Sequence, residues 1–330
     1  MNTKRMLRAV FVMLYATCTF TATETWAQAG RKVPIRMGTD VSTMGLAFWV
    51  ADSEGIFDKH GIRPMLKIHE IGFQALLAVG AGEADTSIQS ESPTIVNIAK
   101  GIDAVIIATI ARGPQTYKAV ARREISGPKD LVGKRIGVTM GSGGEFFLVR
   151  YLKKHSINTK AVTIQNAGPP ELTAMLYKGE VDAVFTWEPF GRKILSLERA
   201  SERLAQFATG KDYYDPSYLL TVGRKFTEDN PEAIKSLLTA LAESNTFISK
   251  NPEKAVQIAQ RTLRTTRAEA TASLNDYVTV APILDKDTIE ALTDISLWLK
   301  DGDRIKSIPD WNKIVEPKFL RQIDPTKVRM

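Results

Sequence analysis

The 330-residue chain carries 44 Lys and Arg against 37 Asp and Glu, for a formal net charge of +7, and its only cysteine is Cys18. That length exceeds what one hydrophobic core usually organises and favours two domains. The basic residues are scattered among acids, with no basic helix or aromatic-interleaved patch, which argues against a nucleic-acid surface and leaves at most a mild attraction for small anions.

The N-terminus reads as a secretory signal over residues 1–29. Lys4, Arg5 and Arg8 form a basic start, Ala9 to Ala16 is apolar, and Ala27-Gln28-Ala29 fits a small-x-small cleavage site. The apolar run is too short for the roughly 20 residues of a spanning helix. A lipid anchor on Cys18 is the competitor, but Tyr15-Ala16-Thr17 lacks the usual residues before such a cysteine. Cleavage near Ala29 predicts a periplasmic, monomeric mature chain from Gly30. Losing Lys4, Arg5, Arg8 and Glu24 lowers +7 to +5. Losing Cys18 leaves neither a disulfide nor a thiolate.

From Gly30 the elements alternate. VPIRM is a strand that feeds the loop Gly38 to Thr43, and a helix runs from Met44 to Glu54. PMLKIHEI is a strand and FQALLAVGA a helix, followed by GEADTSIQSESP over 82–93. Ser92-Pro93 there reads as an N-cap with Pro at the first helical position, opening TIVNIAKG. DAVIIATI is an apolar run expected to be a strand buried on both faces. Arg112-Gly113-Pro114 breaks the chain, and TYKAVARR is read as a strand standing alone. KRIGVTM then restarts the alternation. It leads through Gly141-Ser142-Gly143-Gly144 into the helix EFFLVRYLKKH, the strand AVTIQNA and a helix opened by Pro169-Pro170. GEVDAVFTWEPF over 179–190 repeats the pattern of 82–93, with Gly, Glu, Asp and Glu in register. Beyond Phe207 a loop with Tyr213 and Tyr214 precedes a second lone strand, YLLTVGRKF, and the remainder reads as mostly helical.

A helix, a tight turn and a buried strand delivering a polar loop is half of a parallel α/β unit, and such loops leave the carboxyl ends of strands, where ligands bind. Two copies imply two similar α/β lobes. The expected division is 30–117 plus 219–330 for the first lobe and 118–218 for the second, with two crossings forming a hinge.

The chain resembles the periplasmic substrate-binding proteins of ABC importers that serve nitrate, aliphatic sulfonates, taurine and thiamine-precursor pyrimidines. The resemblance rests on the turn before SESP, on SGPKDLVGKRIGVTMGSGGEFFLVRYL after the crossover strand, and on GEVDAVFTWEPF. It implies a type II periplasmic-binding-protein fold, two doubly wound lobes joined by a two-strand hinge. The implied partners are a small, anionic solute, an ABC permease and its ATPase. No cofactor, metal or catalytic residue is implied. An aliphatic or aryl sulfonate is the first expectation, with taurine and nitrate next, and a pyrimidine or aromatic carboxylate stays open. Pyrimidine synthases of the same fold rely on cysteines and histidines, so the lack of a cysteine after Cys18 counts against an enzyme.

Carried over by position, the binding residues are Ser42 and Thr43, then Ser90, Glu91 and Ser92, then Gly141, Ser142, Gly143 and Gly144, and finally Trp187 and Glu188; Tyr213 is added as a hinge-lining residue. Ser142 and Glu145 are spaced as a capping box, and free N–H groups at a helix start favour an anion. Ser42-Thr43 precedes a helix in the same way. A carboxylate at Glu91 would repel an anion unless it faces away or meets a ligand ammonium. Trp187 fits either lobe packing or an apolar wall against a ligand. Asp85 and Asp182 read as turn formers, and His60, His69 and His155 as isolated surface or loop residues.

Overall fold

The computed structural model describes residues 32–113, 115–276 and 278–330, so the signal segment and Cys18 lie outside the described residues. Two mixed sheets carry the chain. The first has seven strands, in the order β12 (Val328–Arg329), β11 (Val278–Asp285), β4 (Ala104–Arg112), β10 (Ser217–Gly223), β3 (Thr86–Ser90), β1 (Val33–Asp40) and β2 (Ile62–His69). The second has five, in the order β7 (Thr163–Asn166), β6 (Arg135–Val138), β8 (Ala183–Trp187), β5 (Tyr117–Arg122) and β9 (Leu204–Thr209). The principal helices are α1 (Leu46–Ser53), α2 (Gly72–Gly80), α3 (Glu91–Ala99), α4 (Gly143–Lys154), α5 (Pro169–Lys178), α6 (Phe190–Leu195), α7 (Pro231–Lys250), α8 (Pro252–Leu263), α9 (Arg267–Asn275) and α10 (Lys286–Asp301).

The two sheets share one plan. β1 lies parallel between β2 and β3, as β6 lies parallel between β7 and β8. Next to β3 runs antiparallel β10, and next to β8 runs antiparallel β5. These two strands were expected to stand alone at the crossings. Instead each is bonded on both sides, β10 between β3 and β4 and β5 between β8 and β9. Their nearly continuous burial reflects that central position. The chain therefore passes from one sheet to the other between Arg112 and Tyr117 and back between Thr209 and Ser217.

The repeated Gly-Glu-x-Asp turn has a specific structural task. Asp85 accepts from the backbone N–H (2.8 Å), Nε (3.1 Å) and a terminal nitrogen (2.5 Å) of Arg36 on β1. Asp182 accepts from the same three groups of Arg135 on β6, at 2.9, 3.1 and 2.8 Å. Each arginine also donates to the carbonyl of the turn glycine, Gly82 or Gly179. A bidentate arginine clamp of this kind fixes the register of the strand that follows the turn against the first strand of its lobe. Arg36 and Arg135 sit about two-fifths exposed, so the value of each clamp lies in geometry more than in stability.

Three strands were not anticipated, β9, β11 and the two-residue β12. β9 shows mixed burial without a clean alternation. β11 contains Pro282, and its pairing with β4 is interrupted between Thr279 and Ile283, which removes the regular alternation that signals a strand. Pro64 is tolerated in β2 because that strand is the sheet edge. The helix expected to start after Ser92 starts at Glu91, directly after β3, with Ser90 in the extended conformation of an N-cap.

Candidate functional site

A cavity of about 300 Å³ lies between the two sheets. One side is built from the carboxyl ends of β1 and β3, the turn after β1 and the start of α2 after β2: Asp40, Ser42, Gly72, Phe73, Gln89 and Ser90. The other is built by Tyr117 at the start of β5, Thr139 to Ser142 before α4, Gly143 at its first position, and Trp187 at the end of β8. Tyr218 of β10, Arg304 just beyond α10 and Lys100 just beyond α3 complete the lining together with apolar Ile71, Pro93 and Val96. The position follows from topology: strand order reverses at β1/β3 and at β6/β8, and clefts open at such switch points.

Of the residues expected from sequence, Ser42, Ser90, Gly141, Ser142, Gly143 and Trp187 line the cavity. Thr43, Glu91, Ser92, Gly144, Glu188 and Tyr213 do not. Thr43 is buried in a 3-10 turn, and Ser92 is buried in the first turn of α3. Gly144 lies one residue deeper in α4, against the Phe185 carbonyl. Tyr213 packs on Phe147 and Tyr151, and its hydroxyl lies 2.9 Å from His155.

Glu91 and Glu188, the matched acids of the repeat, tie down the crossings instead. Glu91 faces away from the cavity and accepts from the Tyr214 hydroxyl (2.5 Å) and the Ser217 N–H (2.6 Å), both on the returning segment. Glu188 donates its backbone N–H to the Thr116 carbonyl on the outgoing segment (2.9 Å). Its carboxylate lies 3.7 Å from Lys118 and 3.3 Å from Arg192. Burial pushes both carboxyls up to about 7, against the pull of these partners. Asp276, just beyond α9, reaches across to Lys118 (3.1 Å) and Arg192, so this ion cluster spans the two sheet layers. The Arg304–Glu145 pair (2.6 Å) spans them a second time.

The start of α4 combines two expected features. Ser142 caps the helix, accepting from Gly144 (3.1 Å) and Glu145 (3.4 Å) N–H groups and donating to the Thr139 carbonyl (2.6 Å). Glu145 turns back to accept from Gly141 N–H (2.6 Å). With its neighbours spent in this way, Gly143 N–H is left without an acceptor among the described residues while Gly143 lines the cavity. An N–H group at the first turn of a twelve-residue helix is a natural partner for a negatively charged atom. Gly143 must be glycine here. A Cβ on it would fall 1.8 Å from the Tyr117 hydroxyl oxygen.

Asp40, Gln89, Tyr117, Tyr218 and Arg304 line the cavity without having been expected there. Asp40 lay in the loop already singled out and could have been found; the tyrosines and Arg304 reach the cavity only through long-range pairing.

A family model described as NMT1/THI5 like matches residues 43–255. The chain belongs to the NMT1/THI5-like family. Over 286 residues it is 22% identical to the taurine-binding periplasmic protein of Escherichia coli, covering 82% of this chain and 88% of that one. Its fold superposes on the periplasmic aliphatic sulphonate binding protein SsuA from Escherichia coli with a TM-score of 0.76 at 16% identity, over 86% of this chain and 97% of that one. It also superposes on the desulfurization enzyme DSZB, with a TM-score of 0.69 at 14% identity over 89% and 99%. These likenesses place the chain in the two-lobed periplasmic-binding-protein fold. Among the described residues no helix is long and apolar enough to cross a membrane.

Proposed function

We propose that the chain is the periplasmic solute-binding component of an ABC importer. It captures a small organic anion between its two lobes and presents it to a membrane permease. The observation that carries this reading is the cavity itself. It is fed by strand ends from both sheets and offers the free Gly143 N–H beside an apolar wall of Phe73, Val96 and Trp187. A sulfonate on a short organic tail matches that pairing of an anion-binding N–H with apolar surface. A cavity of about 300 Å³ is far larger than a nitrate ion, which ranks nitrate below the organic sulfonates. The similarity to a taurine-binding protein and the fold likeness to SsuA support the same class. Capture and release require the lobes to part, and the crossings between Arg112 and Tyr117 and between Thr209 and Ser217 are where they would pivot.

The fold likeness to DSZB supports a second reading, an enzyme on the same scaffold. A thermal-shift screen across alkane- and arylsulfonates, taurine, nitrate, pyrimidines and aromatic acids tests the first reading. We expect organic sulfonates to raise the melting temperature, and a rise confined to pyrimidines or aromatic acids would move the chain to another solute class.

A further inference from the structure

The cavity has a feature that an anion does not explain. Asp40, at the end of β1, places a carboxylate in the lining, and its surroundings supply only neutral donors. Ser42 donates to Oδ1 through its N–H (3.0 Å) and its hydroxyl (2.5 Å), and the Gly72 N–H donates as well. Among the described residues no cation pairs with Asp40, and burial without one pushes its carboxyl above the usual range.

Gln89 lies on the same side of the cavity. A Cβ on Gly72 would meet both residues, 3.2 Å from Asp40 Oδ2 and 2.7 Å from Gln89 Cβ, so Gly72 marks the point where they converge. Gln89 is 1% exposed, and its Nε2 donates to the Thr94 and Thr221 hydroxyls, both at 3.0 Å. Thr94 spends its own proton on the Ser90 carbonyl (2.8 Å), so it can only accept from Gln89, which fixes which way the amide points. Gln89 Oε1 is therefore a buried acceptor with no donor among the described residues. A buried acceptor left unmade is costly, and a donor on the solute would relieve it. One carboxylate without a cation, and the residue that carries one carbonyl without a donor, thus flank the same glycine and line the same cavity.

Resting on the solute-binding reading above, we infer that the solute carries an ammonium group seated between Asp40 and the Gln89 carbonyl oxygen, so that the cavity selects amino-sulfonates and similar zwitterions over plain anions. The ammonium has three donors, enough for both acceptors at once. Its charge supplies the cation that Asp40 lacks. The anionic end then lies toward Gly143 N–H, and the two ends of the solute meet opposite signs.

Calorimetric titration of the mature protein with three probes tests this. Taurine carries both groups, ethanesulfonate lacks the amine, and β-alanine keeps the amine but exchanges the sulfonate for a carboxylate. Taurine is expected to bind at least about tenfold more tightly than ethanesulfonate, the value of a modest charge-assisted contact. In Asp40→Asn, with a melting curve to confirm folding, the taurine-to-ethanesulfonate ratio should fall to about threefold or less. Equal binding of taurine and ethanesulfonate by the native protein overturns the inference and leaves the sulfonate reading standing. Binding of β-alanine but of no sulfonate overturns the sulfonate reading and upholds the ammonium site. An Asp40→Asn protein that folds and keeps the native ratio also overturns the inference, and binding of no probe overturns both.

Discussion

Gly143→Ala should reduce solute affinity by at least about a hundredfold, equivalent to about 2.7 kcal/mol. The new methyl would sit 1.8 Å from the Tyr117 hydroxyl oxygen and 2.4 Å from its Cζ, against a comfortable separation of about 3.5 Å. Tyr117 cannot give way easily. It is 3% exposed, stacked on Tyr214 at 5.1 Å and packed near Phe147. The helix start must move instead by more than 1 Å, which misplaces the Gly143 N–H and closes part of the cavity. Overpacking of this kind also costs about 1–3 kcal/mol of stability, so a lower melting temperature should accompany the loss. Gly144→Ala is the comparison. Its Cβ would lie 3.1 Å from the Phe185 carbonyl oxygen, outside the lining, and should cost less than about tenfold in affinity. Calorimetry on both variants decides the point. Native affinity in Gly143→Ala would remove the α4 start from the site.

Lys118→Met should destabilise the fold by about 3 kcal/mol at pH 8. Lys118 is 4% exposed and stands between the Glu188 and Asp276 carboxylates, so its removal leaves two acids with Arg192 as their only remaining cation among the described residues. The cost sits at the low end for a broken buried pair because Arg192 remains and because Glu188 can take up a proton. The sign of the pH dependence follows from Glu188 and Glu91, both raised to about 7 from ordinary carboxyl values near 4.5. Across that window the folded state binds more protons than the unfolded chain, so their contribution is present in full below about pH 4.5 and is lost as pH rises through 7. Native protein should therefore lose stability between pH 5.5 and 8, and Lys118→Met should lose more. Urea unfolding at the two pH values measures both. A change under about 1 kcal/mol at pH 8 would mean that the cluster is solvated and not a buried bridge between the layers.

The repeat was legible because its signature is local: a turn of Gly-Glu-x-Asp must be followed by a strand whichever lobe it serves. What the turn aspartates do was not legible. Their arginine partners, Arg36 and Arg135, lie some fifty residues earlier and look like ordinary strand residues. Ser42, Ser90, Trp187 and the glycine loop were accessible for the same local reason, since strand ends and helix starts announce themselves in the sequence. Glu91 and Glu188 recur as faithfully as any binding residue would. Recurrence reports equivalent positions in two lobes, and here those positions hold the crossings. Tyr117, Tyr218 and Arg304 were beyond reach because two of them come from strands inserted antiparallel into sheets begun elsewhere, and the third comes from the tail after the last long helix.

Titration of the mature protein with taurine in a calorimeter, with mass analysis of the solute recovered afterwards, tests the central claim most directly. Capture predicts a saturable heat with one site per chain and solute recovered unchanged. It also predicts about 2.7 kcal/mol of added stability when the free solute stands at 100 times its dissociation constant. No saturable heat at millimolar taurine, or solute returned chemically altered, would contradict it.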